Sequence, residues 1–336
     1  MDLATDYMGL ALRNPLVASA SPLCHTVDGV RRLADAGVGA VVLHSLFEEE
    51  LAEEAARRAQ LAEAGTESFA ESLSYFPATA GREFGPRSYL SLLERAAAAV
   101  DIPVIASLNG ATPSGWADYA RAMQEAGAVA IELNITYLPG DPRVSGREVE
   151  QRHLDILRRV KAAVTVPVAV KLSPYFSSIG EMAMELDRAG ADALVLFNRF
   201  LYPDIDAESL GVVSGVGLSR PSEARLPRTW IALLRGSVRA ALAATTGVDG
   251  PEDVARYLLA GADVVMTTSA LLRHGPEHAQ VLLEGLAAWM ERKGFATVGD
   301  VRGMLAAPPG ADATARTRAG YAAALRAANA DLHGPW

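Results

Sequence analysis

The amino-acid sequence predicts an α/β protein with a (β/α)8 fold, the TIM barrel, in which eight parallel strands alternate with helices. Three observations predict this fold. Eight short segments rich in Val, Ile, Leu and Ala are apolar throughout, which is typical of strands buried on both faces of a parallel sheet. Helical segments lie between them. The junction of a helix, an Ala-Gly pair and a new strand recurs in four places, which indicates repeated βα units.

The predicted strands follow one another at intervals that leave room for a helix. In chain order they cover residues 16–20, 39–45, 103–109, 129–135, 167–173, 191–198, 240–247 and 262–269. The predicted helices cover residues 27–36, 116–126, 147–164, 178–189 and 251–260. The four junctions read DAGVGAVV, EAGAVAIE, RAGADALV and LAGADVVM. We expect the glycine after each helix to take a left-handed backbone conformation, which turns the chain into the next strand.

Two long insertions and a tail account for the remaining length. The chain after the second and after the sixth predicted strand is much longer than the other connections. Both insertions follow a strand, and they therefore lie at the face where barrel enzymes carry their active sites. The first insertion contains a predicted helix at residues 48–64. We expect a barrel domain over residues 1–293 and a C-terminal extension over residues 294–336 that packs on it, with a helix at residues 315–329.

Composition and charge narrow the class of protein further. The net charge is −9, so a basic surface for nucleic acid is not expected. Cys24 is the one cysteine, which excludes a disulfide within the chain and favours a reducing compartment. The apolar segments are far shorter than the ~20 residues of a membrane helix, and the N-terminal residues lack the apolar core of a signal peptide. We therefore expect a cytoplasmic protein that acts on a small molecule, with no nucleic-acid or membrane partner.

Polar residues stand at the carboxyl ends of the predicted strands, where the catalytic residues of barrel enzymes lie. Three of them are the amides Asn109, Asn134 and Asn198, and each ends a different strand. A single asparagine in such a place is usually a turn or capping residue. Three amides around one mouth indicate a hydrogen-bonding set for a flat, polar ligand. His44 also ends a strand and is either an acid or base or a structural histidine.

Lys171 lies inside the apolar segment VAVKLSP, where an unpaired ammonium would be costly to bury. The sequence leaves three interpretations open. Lys171 forms a structural ion pair with Glu132, it faces an anionic cofactor or substrate, or it is a nucleophile that forms a Schiff base. The last interpretation predicts a lyase of the aldolase type.

Small and hydroxyl-bearing residues follow the seventh and eighth strands, as Thr245-Thr246-Gly247 and Thr267-Thr268-Ser269. In barrel enzymes the loops at these two positions commonly bind phosphate. Helix capping by the same residues is the alternative for each loop alone. The sequence contains no metal-binding motif, so no metal is expected.

Several motifs in a fixed order resemble one family. NPLVASASPL, IELNITYLP, VPVAVKLSPYF, LVLFN, AATTGV and VMTTSALL together are similar to the FMN-dependent dihydroorotate dehydrogenases, within them to the soluble class and a dihydroorotate dehydrogenase-like branch. The resemblance covers most of residues 1–290. It implies a flavin enzyme of pyrimidine metabolism that transfers hydride between FMN and dihydroorotate or orotate, or a related small planar amide or enone. Members of this class commonly form dimers. This chain has no cysteine set for an iron–sulfur cluster, so any cluster belongs to a redox partner protein.

The resemblance also implies roles for individual residues. The implied flavin contacts are Ser19, Ala20, His44, Asn109, Asn134, Lys171 and Asn198, with Thr246, Gly247, Thr268 and Ser269 at the phosphate. The implied substrate contacts are Asn109, Asn134, Asn198 and Tyr75. Lys171 would stabilise negative charge on the reduced flavin, which explains a cation in a buried strand.

The substrate half of the motif set departs from the family pattern. The family has a Cys or Ser base in the loop after the fourth strand, and Tyr137 stands in that place here. A phenol donates a proton more readily than it removes one at neutral pH. Tyr137 is therefore the predicted proton-transfer residue, with the neighbouring Thr136 as a substitute. Pro139 replaces an expected Asn, Thr246 an expected Gly, and His44 an expected Lys. Loss of the family's base also leaves open a non-catalytic, flavin-binding partner of a redox complex.

Overall fold

The structure is a computed structural model that describes residues 1–51, 53, 85–112, 116–137, 140–199, 203–213, 215, 217–308, 310 and 312–332. Its centre is a closed barrel of eight parallel strands. The described residues form twelve strands, eight in the barrel and four in two hairpins. They are β1 (Thr5–Tyr7), β2 (Leu10–Leu12), β3 (Leu16–Ala18), β4 (Ala40–Phe47), β5 (Val104–Gly110), β6 (Ala130–Ile135), β7 (Val168–Leu172), β8 (Ala193–Leu196), β9 (Asp204–Asp206), β10 (Gly211–Val213), β11 (Ala241–Ala244) and β12 (Val264–Thr267). Around the barrel the order is β3 to β8, then β11 and β12, which closes on β3. Each of the eight predicted strands is present, so the predicted fold class is confirmed.

Helices surround the barrel. They are α1 (Val27–Asp35), α2 (Pro86–Ala99), α3 (Trp116–Glu125), α4 (Gly146–Ala163), α5 (Ile179–Arg188), α6 (Arg225–Leu234), α7 (Pro251–Ala260), α8 (Ser269–His274), α9 (His278–Lys293), α10 (Val298–Val301) and α11 (Ala313–Leu332). The predicted helices correspond to α1, α3, α4, α5, α7 and, in the tail, α11. Of the helix predicted at residues 48–64, residues 48–51 and 53 are described, and they are helical. None of the helices in the described part of the chain is long and apolar enough to cross a membrane.

The four repeated junctions take the predicted backbone conformation. Gly37, Gly127, Gly190 and Gly261 have φ angles of 98°, 99°, 96° and 118°. Residues with a Cβ rarely adopt this region, which explains why a glycine recurs at the same place in each unit. At the end of α7 the Gly261 N–H donates to two carbonyl oxygens of the last helical turn.

Strand residues alternate between two apolar layers. Leu133 and Leu172 belong to the layer between the barrel and the helices. Ile105 and Ala169 belong to the layer around the barrel axis, where the hairpin of β1 and β2 adds Tyr7. Because this lower interior is filled with apolar side chains, the polar residues that face the axis lie higher, toward the carboxyl ends of the strands.

The second insertion and the tail are described in large part, and the first insertion only at its ends. The second insertion forms an antiparallel hairpin of β9 and β10, then a 3-10 turn at Pro221–Ala224 that leads into α6. The first insertion falls largely on residues 52 and 54–84, and the predicted substrate residue Tyr75 lies outside the described residues. In the tail the Leu305 N–H donates to the Leu259 carbonyl at 2.9 Å. The division into a barrel domain and a C-terminal extension stays a prediction.

Candidate active site

Side chains from three adjacent strands meet at the carboxyl end of the barrel. Asn109 on β5 lies opposite Asn134 on β6, and Asn134 lies opposite Lys171 on β7. Alternation along β5 and β7 places these residues on the same side as Ile105 and Ala169, which face the axis. Two amides and an ammonium therefore face the barrel mouth at one level.

A hydrogen-bonded amide cluster, made of Asn134, Thr136 and Asn198, occupies one side of the mouth. Asn198 Nδ2 donates to Asn134 Oδ1 at 2.7 Å, and Thr136 Oγ1 donates to the same oxygen at 3.4 Å. The Thr136 N–H donates to the Gly110 carbonyl at 3.1 Å, which extends the β5–β6 ladder and keeps Thr136 on the side of Asn134. The cluster offers both donors and acceptors, as a ligand with ring amide groups requires.

Tyr137 is next in the chain, but its described contact is a different one. The Arg152 guanidinium of α4 lies over the Tyr137 ring, with 4.0 Å between Cζ and the ring centroid. Arg152 also donates to the Ala111 carbonyl at 3.0 Å. This cation–π contact holds the ring beside the loop after β6. The structure thus brings Thr136 into the amide cluster and places Tyr137 against α4.

Lys171 and Glu132 form a buried ion pair inside the barrel. Lys171 is 8% exposed and Glu132 is 1% exposed, and 3.4 Å separates Nζ from Oε1. Glu132 Oε2 is buried and has no hydrogen-bond partner among the described residues. The ion pair that the sequence left open as one interpretation is present. The ion pair is not the whole environment of Lys171, because Lys171 also lines a cavity.

That cavity has a volume of about 240 Å³ and opens beside Lys171 at the mouth. Its lining includes seven residues predicted to contact a cofactor, Ser19, Ala20, Lys171, Asn198, Thr246, Thr268 and Ser269. Phe197 and Met266 add apolar surface. The cavity therefore joins a buried cation, hydroxyl groups and flat apolar surface, the mixture typical of a cofactor site.

The loop after β11 makes a sharp turn beside this cavity. Thr246 and Gly247 both have positive φ angles, of 82° and 70°. The Tyr257 hydroxyl of α7 donates to the Thr246 carbonyl at 2.6 Å and helps to hold the turn. A β-branched residue is strained in this conformation. The backbone conformation explains why a glycine is expected at the place that Thr246 occupies.

Ser219, from the second insertion, joins the loops after β11 and β12. Its Oγ accepts a hydrogen bond from the Gly247 N–H at 3.1 Å and lies 2.9 Å from Ser269 Oγ. The Thr268 hydroxyl donates to the Ser19 carbonyl at 2.8 Å, which ties the β12 loop to β3. Ser219 was not predicted as a site residue. Its sequence signal is weak, a small polar residue at the end of an insertion.

His44 lies apart from this site because of a strand irregularity. The β4 strand carries a bulge between Val42 and Ser45, which changes the direction of the intervening side chains. The His44 ring contacts His25 and Tyr89, with centroid distances of 4.3 Å and 5.1 Å. Burial, with a smaller contribution from His25, lowers the pKa of His44 to about 4, so the ring is neutral at physiological pH. The structure does not bring His44 to the cavity beside Lys171.

A wider space of about 790 Å³ lies outside the barrel between α1 and α2. Its lining includes His25, His44 and Arg95, and none of the three predicted amides belongs to it. Among the described residues, no three His, Cys, Asp or Glu side chains are grouped to hold a metal ion. We take the smaller cavity as the candidate active site because the Lys171 cation, the Asn198 amide and several hydroxyl groups line it. Asn134 is not a lining residue but is hydrogen-bonded to Asn198.

Comparison with known proteins gives evidence of the family to which this chain is related. The family model described as dihydroorotate dehydrogenase matches residues 2–290. The dihydroorotate dehydrogenase B (NAD(+)) catalytic subunit of Methanothermobacter thermautotrophicus is 27% identical over 321 residues, which are 90% of this chain and 98% of that protein. The catalytic subunit of the same name from Halalkalibacterium halodurans is 31% identical over 210 residues, 61% of this chain and 68% of that protein. The one from Methanocella arvoryzae is 28% identical over 298 residues, 87% of this chain and 94% of that protein.

Proposed function

Since the chain belongs to the dihydroorotate dehydrogenase family, we propose that it is an FMN-dependent oxidoreductase. Its substrate would be dihydroorotate or a related small, planar amide or enone, oxidised or reduced at a CH–CH bond. The observation that carries the proposal is the buried Lys171 ammonium, which lines a cavity shared with Asn198 and faces the mouth beside Asn134. A fixed cation at this place suits a group that becomes negatively charged during the reaction.

The residues around the cavity fit FMN. Ser19 Oγ is buried and has no hydrogen-bond partner among the described residues, so a polar ligand atom would satisfy it. Phe197 and Met266 supply apolar surface for a flat ring system. Hydroxyl and N–H groups for a phosphate come from the loops after β11 and β12. We assign the ring to Ser19, Ala20 and Lys171, and the phosphate to Thr246, Gly247, Thr268 and Ser269.

Bound FMN would supply the group that accepts and returns a hydride. The chain itself contributes charge and orientation. Lys171 would stabilise negative charge on the edge of the flavin ring that lies nearest to it. The amide cluster binds the amide groups of the substrate and fixes the reacting carbon, which lowers the entropic part of the barrier. Asn109, at the same level as Asn134, is a further amide for either ring.

A proton must also leave or reach a substrate carbon. Thr136 is already hydrogen-bonded to Asn134, which favours a substrate-holding role for its hydroxyl. We assign proton transfer to Tyr137, which stands at the place of the family's base and is held by Arg152. Catalytic hydrogen bonds are often completed only when the substrate binds, so the contact of Tyr137 with Arg152 is compatible with this role.

The lyase alternative has weaker support. A Schiff-base nucleophile attacks as an uncharged amine. Lys171 instead contacts the Glu132 carboxylate at 3.4 Å as an ion pair. Loops that bind phosphate fit both functions. The ion pair and the family membership favour the oxidoreductase.

We also propose a redox partner protein that takes electrons from the flavin. The relatives named above are catalytic subunits, a name that describes them as parts of larger assemblies. The one cysteine of this chain cannot ligate an iron–sulfur cluster by itself. A cluster, where one is used, would therefore belong to the partner.

FMN binding tests the proposal most simply. Purified protein should be yellow, and protein stripped of flavin should regain the flavin spectrum when it is titrated with FMN. Riboflavin, which lacks the phosphate, should bind more weakly because it makes no contact with the loops after β11 and β12. Colourless protein that takes up neither compound would contradict the proposal.

Gly247→Ala should weaken FMN binding about tenfold, a loss of about 1.4 kcal/mol. Gly247 has a φ of 70°, and a Cβ there would lie 2.8 Å from the Ala224 nitrogen and from the Arg220 carbonyl oxygen, so the loop has to move. Gly250→Ala is the matched control, because Gly250 has a φ of −123° and no atom within 4 Å of a Cβ. FMN titration of both variants measures the effect, and equal affinities would remove the β11 loop from the site.

A further inference from the structure

We propose that the Glu132 carboxylate, which lies below Lys171 in the barrel, offsets part of the positive charge of Lys171. Glu132 thereby sets the net charge next to the flavin. The inference rests on the proposed function, because it takes the cavity beside Lys171 as the flavin site. Its basis is the juxtaposition of a buried carboxylate and a buried ammonium on the neighbouring strands β6 and β7.

Glu132 lies one level beneath the cavity. In the strand register it is opposite Ser107 on β5 and Ala169 on β7, two residues before Asn134. It therefore faces the barrel axis below the amides. Its Oε1 reaches Lys171 Nζ at 3.4 Å, while Lys171 itself lines the cavity. The ammonium is held between the carboxylate and the space assigned to the flavin.

Stability is a poor explanation for this pair. A strong charge-assisted hydrogen bond between an ammonium and a carboxylate spans about 2.7–2.9 Å. A buried ion pair stabilises a protein only when further hydrogen bonds satisfy the remaining oxygen of the carboxylate. Here the contact is 3.4 Å, and Glu132 Oε2 has no partner among the described groups. Buried ion pairs with incomplete hydrogen bonding are often no more stabilising than apolar side chains of the same volume. Control of the charge at the site explains the pair better than stability does.

Charges in this part of the barrel act on their neighbours with little screening. Ile105, Ala169 and Val195 form the surrounding interior, and each is buried. Burial raises the pKa of the Tyr7 phenol well above its ordinary value, and the negative charge of Glu132 adds to that effect. The same charge must offset part of the positive charge of Lys171 that reaches the cavity.

Glu132→Gln tests the inference because it keeps the shape of the side chain and removes its charge. The full charge of Lys171 then acts on the flavin, and reduced flavin, which is anionic, gains more than oxidised flavin does. We expect the ratio of the dissociation constants for oxidised and reduced FMN to rise about tenfold, a shift of about +30 mV for a two-electron couple. The midpoint potential, measured by equilibration with a reference dye, reports this without any turnover.

Three control variants make the test specific. Glu132→Asp keeps the charge and should retain a potential near that of the unmodified protein. Lys171→Met should lower the potential. The double variant Lys171→Met with Glu132→Gln should lie between the two single variants, since it again has no net charge. If Glu132→Gln does not fold, the test is whether the double variant has a higher midpoint potential than Lys171→Met.

Each outcome has a distinct meaning. A potential that stays unchanged or falls in Glu132→Gln, in protein that still binds FMN, overturns the inference and leaves the proposed function intact. A double variant no higher in potential than Lys171→Met also overturns it. Unmodified protein that binds no FMN contradicts the proposed function itself.

Discussion

Lys171→Met is expected to slow the reduction of bound FMN by substrate about 10²–10³-fold, the loss typical of removing one group that stabilises developing negative charge. Methionine keeps an unbranched apolar stem in the barrel and lacks the ammonium. Anaerobic rapid mixing of FMN-loaded protein with dihydroorotate measures the rate through the visible flavin absorption. Because the amide cluster is retained, the loss should fall on the maximal rate and not on the substrate concentration that gives half of it.

Folding has to be separated from chemistry in this variant. Lys171→Met leaves Glu132 as an unpaired buried carboxylate, which should lower the free energy of unfolding by about 3–5 kcal/mol in urea titrations. The double variant with Glu132→Gln has no buried charge at this place. We expect it to recover most of the stability and to remain slow. A double variant that reduces FMN at the unmodified rate would show that Lys171 acts only by offsetting the charge of Glu132, and not as a fixed cation beside the flavin.

Tyr137→Phe is expected to slow flavin reduction about 10²–10⁴-fold, the usual contribution of a positioned acid or base. The variant loses the hydroxyl and keeps the ring under Arg152, so the loop after β6 should keep its geometry. FMN affinity should be unchanged. Thr136→Val is the matched variant, since it removes the hydroxyl of the adjacent residue. It should weaken substrate binding about tenfold, because a hydrogen bond in the amide cluster is lost.

The comparison of these two variants decides which hydroxyl moves the proton. Both are measured by the same rapid-mixing experiment over a range of substrate concentrations, which separates the maximal rate from substrate binding. If Tyr137→Phe reduces FMN like the unmodified protein, Tyr137 has no part in proton transfer. If Thr136→Val instead shows the large loss of maximal rate, proton transfer belongs to Thr136.

The barrel and its junctions could be predicted from the sequence because local chemistry determines them. Continuous apolar segments are compatible with a parallel sheet covered by helices, and the structure has a strand in each of the eight. Gly37 and Gly261, at two of the repeated junctions, have the positive φ angles that the Ala-Gly pattern predicts. The contact of Lys171 with Glu132 could be anticipated too, because two charged residues in buried neighbouring strands have few other partners.

The direction of individual side chains could not be predicted in the same way. A strand pattern assumes regular alternation, and the bulge between Val42 and Ser45 breaks it, so His44 meets His25 and Tyr89 instead of the cavity. A run of apolar residues does not show where a bulge occurs.

Contacts made by distant segments were also beyond prediction. Ser219 reaches Gly247 and Ser269, and Arg152 reaches Tyr137, because of how an insertion and an outer helix come to lie at the mouth. Nothing in the residues themselves specifies these approaches. These contacts depend on how the whole barrel packs, and a short motif cannot predict that.

The central claim is that the cavity beside Lys171 holds FMN and presents it to a dihydroorotate-like substrate. Anaerobic addition of dihydroorotate to FMN-loaded protein tests this claim most directly. We predict that the visible flavin absorption bleaches and that orotate forms in the amount of flavin reduced, since each substrate molecule loses one hydride and one proton. Bound flavin that stays oxidised with dihydroorotate and with related saturated amides, and that stays reduced when orotate or an enone is added to the chemically reduced protein, would contradict the claim.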